Sequence, residues 1–126
     1  MRYSGSCLCG AVRFSVEAPE DVEVEDCNCS ICRITGFLHL IVPKSKFTLI
    51  SGEENLSLYT FNTGVAKHYF CKTCGIKPFY IPRSNPDGVD VNVRCLDVPP
   101  ENLRIVPFDG SHWEANAHTL AHKSKQ

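Results

Sequence analysis

The stretch Cys71-Lys72-Thr73-Cys74-Gly75 decides how the rest of the sequence is interpreted. Two cysteines separated by two residues and followed by glycine are typical of a tight turn that presents both sulfurs to one metal ion. Glycine has no side chain, so backbone amides can approach the second sulfur. Such a turn supplies two ligands of a tetrahedral site and needs two more. The stretch therefore predicts a metal centre whose other ligands lie elsewhere in the chain.

Seven of the eight cysteines fall into three short groups. Besides Cys71 and Cys74, the groups are Cys7-Leu8-Cys9 and Cys27-Asn28-Cys29-Ser30-Ile31-Cys32, whereas Cys95 stands apart. Cysteines this close in sequence rarely reach disulfide geometry, and their spacing favours metal coordination. Cys7 and Cys9 are the spare pair that can complete a structural zinc site of four thiolates. Such a site would tie the start of the chain to its middle.

The remaining cysteines, Cys27, Cys29 and Cys32, lie on one six-residue segment that we expect to be a loop between two strands. Three thiolates can hold a zinc ion and leave its fourth position open for water or substrate, as in catalytic zinc sites. Alternatively, Cys95 completes the coordination and the second metal is structural. The spacing leaves the fourth ligand open between Cys95, water and substrate.

Composition limits the class of protein. A chain of 126 residues is long enough for one domain with its own core, and we expect a single domain over residues 1–126. A formal net charge of -1 argues against nucleic acid as a partner, because nucleic-acid-binding proteins usually have a basic surplus. The polar start, Met1–Ser6, lacks the apolar core of a signal peptide, and no apolar run approaches the length of a membrane span. We therefore expect a cytoplasmic protein with reduced thiols and no membrane partner, and leave nuclear entry and oligomeric state open.

Alternation of apolar and polar residues predicts β-strands along most of the chain. The predicted strands cover residues 12–17, 22–25, 39–42, 47–50, 56–61, 67–70, 79–81 and 89–94. Helix signals are weak and favour one short terminal helix, on which Trp113, Ala117 and Leu120 share a face. Residues 123–126 are expected to fray. The pattern predicts an antiparallel, all-β domain.

With these motifs, the sequence resembles the glutathione-dependent formaldehyde-activating enzymes, and within that superfamily it is most similar to centromere protein V. The resemblance extends over nearly the whole chain. Its matching stretches are Gly5-Ser6-Cys7-Leu8-Cys9-Gly10-Ala11-Val12, Asp26-Cys27-Asn28-Cys29-Ser30-Ile31-Cys32, Ile41-Val42-Pro43, Tyr59-Thr60-Phe61-Asn62-Thr63, Phe70-Cys71-Lys72-Thr73-Cys74-Gly75, Phe79-Tyr80-Ile81-Pro82-Arg83-Ser84-Asn85-Pro86 and Cys95-Leu96-Asp97. Centromere protein V has a long basic extension before its zinc domain. This sequence begins almost at the first motif, so we expect a chromatin or microtubule role that depends on such an extension to be absent.

The resemblance implies a mostly-β fold, a β-tent of antiparallel sheets with little helix, and two zinc ions per chain. It places Cys7, Cys9, Cys71 and Cys74 at a structural zinc and Cys27, Cys29 and Cys32 at a catalytic zinc. The implied activity is that of a carbon–sulfur lyase resembling S-(hydroxymethyl)glutathione synthase, which joins glutathione and formaldehyde. The alternative is a non-catalytic, zinc-stabilised interaction module related to centromere protein V, in which all eight cysteines are structural.

Several other polar residues could contribute to these sites. His39 and His68 lie in strand-like segments near the cysteines, and packing is the favoured interpretation for both. Arg83 adjoins a turn shared with the family and is the arginine that we favour for contact with glutathione carboxylates. Three histidines near the end of the sequence lack the paired spacing of a metalloprotease helix, and we expect them to be exposed. They are His112, His118 and His122.

Overall fold

A computed structural model describes residues 1–125, and β-strands dominate it. The strands are β1 (Arg2–Ser6), β2 (Arg13–Glu17), β3 (Asp21–Cys27), β4 (Leu38–Pro43), β5 (Phe47–Ser51), β6 (Leu56–Tyr59), β7 (Lys67–Cys71), β8 (Phe79–Ile81), β9 (Gly88–Asn92) and β10 (Asn102–Phe108). The α-helices are α1 (Ser30–Thr35) and α2 (Trp113–Asn116), and short 3₁₀ segments cover Lys44–Lys46, Glu53–Asn55, Val93–Cys95, Gly110–His112 and Ala117–Ser124. The prediction of a mostly-β fold with little helix is confirmed.

The smaller sheet contains three antiparallel strands in the order β1-β2-β5. Phe14 and Val16 of β2 are fully buried, as their alternation predicts. Sequence patterning missed β1, because the inward position between Ser4 and Ser6 is a glycine. A Cβ atom at Gly5 would collide with the ring of Phe14, so the large aromatic residue takes the space that the glycine leaves.

The larger sheet has seven strands in the order β10-β3-β4-β9-β8-β7-β6. All neighbours are antiparallel except β10 and β3, which run parallel from Asn102 beside Asp21 to Phe108 beside Cys27. The expectation of a wholly antiparallel domain is wrong for this pair. Patterning also missed β10, whose penultimate residue is Pro107; proline is tolerated there because β10 is an edge strand. The parallel register brings the segment after Phe108 next to the cysteines that follow β3.

Residues of both sheets share one apolar core. Phe14 and Val16 from the smaller sheet pack in the same cluster as Val24 and Val91 from the larger one, and all four are fully buried. Cys71 also belongs to this cluster and is fully buried. Burial of apolar side chains is the main stabilising contribution in such a fold. The packed core holds the strands in place, and with them the strand ends where the cysteines lie.

Helices are short, and α1 differs from the expected loop. Cys29 is the N-cap residue of α1, Cys32 lies within the helix, and Gly36 ends it in the left-handed conformation at φ 70°. The tight spacing of the three cysteines is therefore produced by a strand end followed by one and a half helical turns. No helix in residues 1–125 is long and apolar enough to cross a membrane.

The end of the chain is anchored up to Lys125, so the expectation of a frayed tail is wrong for the part that the structure describes. Ser124 is buried and donates to Asp87 Oδ1 (2.5 Å), and Lys125 pairs with Asp87 Oδ2 (2.7 Å). Fully buried Asn85 donates to the carbonyl of Leu120 (2.9 Å) and to Ser124 Oγ (2.9 Å). Gln126 lies outside the described residues. These hydrogen bonds hold the terminal segment against the larger sheet.

Candidate metal centres and the adjoining cavity

The four cysteines of the two predicted pairs meet at one point, here called the tetracysteine site (Cys7, Cys9, Cys71 and Cys74). Their sulfur atoms all lie within 4.8 Å of one another. The Cys7–Cys9 and Cys9–Cys71 sulfur separations are both 3.7 Å. Ligand sulfurs at 2.3 Å from a tetrahedral zinc ion lie about 3.8 Å apart, so the spacing fits zinc. All eight cysteines are free thiols.

Backbone and side-chain donors surround these sulfurs. The amide of Val12 donates to Cys7 Sγ (3.4 Å), that of Thr73 to Cys71 Sγ (3.4 Å), and Asn55 Nδ2 also donates to Cys71 Sγ (3.2 Å). Gly75, at φ 76°, closes the turn by donating its amide to the Cys71 carbonyl (2.9 Å). Donors of this kind stabilise thiolates, which are the form that binds metal. The tetracysteine site thus has both the ligand spacing and the hydrogen bonds of a structural zinc site.

The other three predicted ligands form the tricysteine site (Cys27, Cys29 and Cys32), at the junction of β3 and α1. Hydrogen bonding with Cys27 and with Cys32 lowers the pKa of Cys29 to about 2. The hydrogen bond to Cys29 raises the pKa of Cys27 to about 11, and hydrogen bonds to Cys27 and Cys29 raise the pKa of Cys32 far above its usual value. Mutual hydrogen bonding among the three side chains thus favours ionisation of a thiol in this group. A divalent cation can take the place of the shared protons, since metal binding at thiols releases them.

His39 joins the tricysteine site, although sequence reasoning favoured packing for it. Its Nε2 lies 3.1 Å from Cys32 Sγ, and the ligand atoms of Cys27, Cys32 and His39 all lie within 4.8 Å of one another. Cys29 falls outside that set. The ring Nδ1 of His39 lies 2.6 Å from Asp90 Oδ2. Burial lowers the pKa of His39, but the charge and hydrogen bond of Asp90 outweigh burial and raise it above its ordinary value.

The segment after β10 closes one side of the tricysteine site. A Cβ atom at Gly110 would overlap Cys27 Sγ and lie 3.0 Å from Cys29 Cβ. Asn28 ties this segment to the cysteine loop, because its Nδ2 donates to Asp109 Oδ1 (3.1 Å) and its Oδ1 accepts from the Ser111 amide (2.9 Å). Only glycine leaves room for the sulfur at this point. No signal in the sequence singled out Gly110, since its partner Cys27 is far away along the chain.

The remaining cysteine and a buried lysine lie behind these sites. Cys95 is half-buried and interacts with the charges of Cys7 and Cys74, so it lies by the tetracysteine site. Burial raises the pKa of Cys95 to about 11.

Lys77 is buried, donates to His68 Nδ1 (2.7 Å) and lies over the ring of Tyr80 (3.8 Å). Burial lowers the pKa of Lys77 to about 8, although nearby Cys32, Asp90 and Cys29 oppose that shift. Burial also lowers the pKa of His68, to about 4.

A cavity of about 460 Å³ opens onto the tricysteine site. Its walls include the three cysteines, His39, the aromatic residue Phe61, and Arg83 with Trp113. The Arg83 guanidinium lies over the Trp113 ring (3.7 Å to the centroid) and pairs with Glu114 (2.6 Å). The volume is in the range of small-molecule sites. The cavity thus combines a potential metal site, an aromatic surface and a partly buried guanidinium.

The three terminal histidines are exposed and lie in neither candidate site among residues 1–125, as the sequence predicted. His112 pairs locally with Asp109 (2.7 Å), and that contact, after those of Ser111 and Asn28, lowers the pKa of Asp109 below its usual range. His68 is buried and stacks on Tyr80 with ring centroids 5.0 Å apart. This position agrees with the packing role that the sequence predicts for His68.

Comparison with known proteins gives consistent matches. The family model described as "Glutathione-dependent formaldehyde-activating enzyme" matches residues 2–109. A curated relative from Halomonas elongata, named "Putative glutathione-dependent formaldehyde-activating enzyme", is 28% identical over a 125-residue alignment, and the match covers 90% of this chain and 80% of the relative. A crystal structure of a Rhodobacter sphaeroides protein has a TM-score of 0.72 and 39% identity, and the match covers 82% of this chain and 99% of that one. The chain belongs to the glutathione-dependent formaldehyde-activating enzyme family.

Proposed function

We propose that residues 1–126 act as a single zinc domain that joins glutathione and formaldehyde, as a carbon–sulfur lyase resembling S-(hydroxymethyl)glutathione synthase. The observation that carries the proposal is the opening of a substrate-sized cavity onto the tricysteine site. Family membership supplies the substrate class. The four cysteines of the tetracysteine site are not among the residues that line that cavity, and we assign them to the fold.

Two zinc ions per chain are part of the proposal. Cys7, Cys9, Cys71 and Cys74 hold the structural one, because four thiolates complete a tetrahedral sphere. Cys27, Cys29 and Cys32 hold the catalytic one. Zinc bound there lowers the pKa of an incoming thiol and can polarise a carbonyl oxygen.

The reaction is an addition that needs no oxidant. The glutathione sulfur supplies the electron pair of the new bond to the formaldehyde carbon. The π electrons of the carbonyl move to its oxygen, which takes up a proton to replace the one that left the thiol. The residues of this chain orient the thiolate: they hold the rest of the tripeptide so that its sulfur faces the tricysteine site.

Arg83 is the group that we assign to a glutathione carboxylate. Guanidinium groups bind carboxylates through two parallel hydrogen bonds. Arg83 lines the cavity, and its guanidinium group lies over the Trp113 ring. Its present carboxylate partner, Glu114, is largely exposed and easily displaced. Phe61 provides an apolar surface on another wall. The partners are thus a small thiol and an aldehyde, and the proposed location is the cytoplasm, where glutathione is abundant and thiols are reduced.

The proposal is tested by measuring magnetisation transfer between ¹³C-formaldehyde and S-(hydroxymethyl)glutathione, with the uncatalysed rate subtracted. The zinc-loaded protein should accelerate exchange in both directions, and Cys29→Ser should abolish the acceleration with the fold intact. Cys95→Ala is the matched control, because Cys95 does not line the cavity, and it should retain the acceleration. A rate equal to the uncatalysed one in the two-zinc protein would remove the enzymatic proposal.

The position of His39 favours a second candidate, the zinc-stabilised interaction module without catalysis. A protein donor beside Cys32 Sγ can complete the second metal site, and a donor that stays bound in the presence of glutathione leaves no position for a thiol. Titration of glutathione into protein with cobalt at the tricysteine site separates the two functions. A changed cobalt spectrum supports thiol binding, and an unchanged spectrum supports the module.

A further inference from the structure

Two contacts direct the His39 ring toward the tricysteine site. One ring nitrogen, Nε2, lies 3.1 Å from Cys32 Sγ, and the other, Nδ1, lies 2.6 Å from Asp90 Oδ2. We propose that His39 Nε2 is the fourth protein donor of the second metal centre, with Asp90 as the positioning residue that holds the ring. This inference rests on the tricysteine site of the proposed function, and it changes that site from three protein ligands to four while no substrate is bound.

The strand register fixes the orientation of the ring. His39 lies on β4 and Asp90 on the neighbouring β9, where both side chains are buried, 5% and 1% exposed. Asp90 accepts a hydrogen bond from Nδ1–H, so the lone pair of the neutral ring lies on Nε2 and faces the sulfurs. Tyr80 Oη, 3.4 Å from Nδ1, packs on the same side. A carboxylate that accepts from the free nitrogen of a ligand histidine is a recurring arrangement at metal sites.

The charges around His39 are those that a cation would balance. The Asp90 side chain is only 1% exposed, and its Oδ1 has no hydrogen-bond partner among residues 1–125. The thiols of the tricysteine site lie at the other end of the ring, and Lys77 is the buried cation whose charge acts on Cys32, Cys29 and Asp90. A buried carboxylate needs compensation. A divalent ion bound to Nε2 supplies it through the imidazole.

The other candidates for the fourth donor are placed less well. Cys95, the alternative raised by the sequence, lies by the tetracysteine site and interacts with Cys7 and Cys74. His68 lines the cavity, but its Nδ1 accepts from Lys77 (2.7 Å), and it is absent from the set of mutually close ligand atoms. Among residues 1–125, His39 is the one non-cysteine side chain in that set.

The test uses the full chain loaded with ¹¹³Cd²⁺, without glutathione, and records correlations between each cadmium nucleus and the protons of its ligands. We expect two cadmium resonances, one correlated with cysteine β-protons alone and the other with cysteine β-protons and the ring protons of His39. A second resonance without a ring correlation would overturn the role of His39 and leave the tricysteine site standing. A single resonance per chain would instead remove that site, and with it the proposed function.

Variants separate the ligand from its positioning residue. His39→Gln should erase the ring correlation, whereas the matched control His68→Gln should preserve it. Asp90→Asn should keep the correlation and weaken the second metal, measured by chelator competition, about 10- to 100-fold. Unchanged affinity in Asp90→Asn would refute the positioning role. If His39→Gln does not fold, the wild-type correlation spectrum with ¹⁵N-labelled histidine still decides the matter, because direct cadmium–nitrogen coupling needs no variant.

Discussion

Gly110→Ala should damage the tricysteine site selectively. The added Cβ atom would overlap Cys27 Sγ. It would also lie 3.0 Å from Cys29 Cβ, which is closer than nearly all contacts that Cβ atoms make in proteins. Overpacking of this kind typically costs about 1–3 kcal/mol. If the strain is relieved when the metal leaves, the same energy appears as a loss of second-metal affinity of about 5- to 150-fold.

The assay measures chelator competition for each metal together with thermal unfolding, in Gly110→Ala and in the control Gly88→Ala. A Cβ atom at Gly88 would lie 2.5 Å from Ser124 Cβ and 2.7 Å from the Val42 carbonyl, so the clash is similar but remote from the cysteines. Both variants should lose stability, but only Gly110→Ala should lose affinity for the second metal. Wild-type affinity in Gly110→Ala, or an equal loss in both variants, would refute the account of how β10 closes the site.

Three further predictions concern the scaffold, the substrate and the terminal segment. Cys74→Ser should unfold the domain, because metal-binding energy is also folding energy, whereas Cys29→Ser should lose one zinc and keep the fold; equal destabilisation by circular dichroism would contradict this division. Arg83→Lys should raise the glutathione KM about tenfold, because lysine keeps the positive charge but cannot form two parallel hydrogen bonds to a carboxylate. The glutathione ethyl ester should bind both proteins alike. An equally large rise in the KM of the ester would exclude the carboxylate contact. Asn85→Ala should cost about 1–3 kcal/mol and speed amide exchange in residues 117–124, because the part-buried carbonyls of Leu120 and Ala121 lose their donor; unchanged exchange there would show that Asn85 does not anchor the segment.

Local spacing made the cysteine groups predictable. Cys71 and Cys74 lie on one tight turn, and Cys27 to Cys32 lie on a strand end and a short helix, so sequence distance translates directly into spatial distance. The strands around them follow from alternation, as β2 illustrates with buried Phe14 and Val16. The pairing of the first and third groups needed only the requirement for four ligands.

Long-range register could not be predicted. His39 meets Asp90 because β4 and β9 are neighbours, and nothing in either segment alone announces that pairing. Gly110 reaches Cys27 because β10 lies parallel to β3, a pairing that antiparallel expectations exclude. The terminal position of residues 123–126 predicts fraying, yet buried Asn85 donates to Ser124 Oγ and to the carbonyl of Leu120 just before the tail. Each miss concerns a contact between distant residues, which periodicity does not encode.

The central claim, two zinc ions held separately by the two cysteine sites, is tested most directly by anomalous diffraction at the zinc edge from crystals of the full chain. The account predicts two peaks per chain, one equidistant from the sulfurs of Cys7, Cys9, Cys71 and Cys74 and the other beside the sulfurs of Cys27, Cys29 and Cys32. One peak per chain, or disulfide bonds within either group, would contradict it.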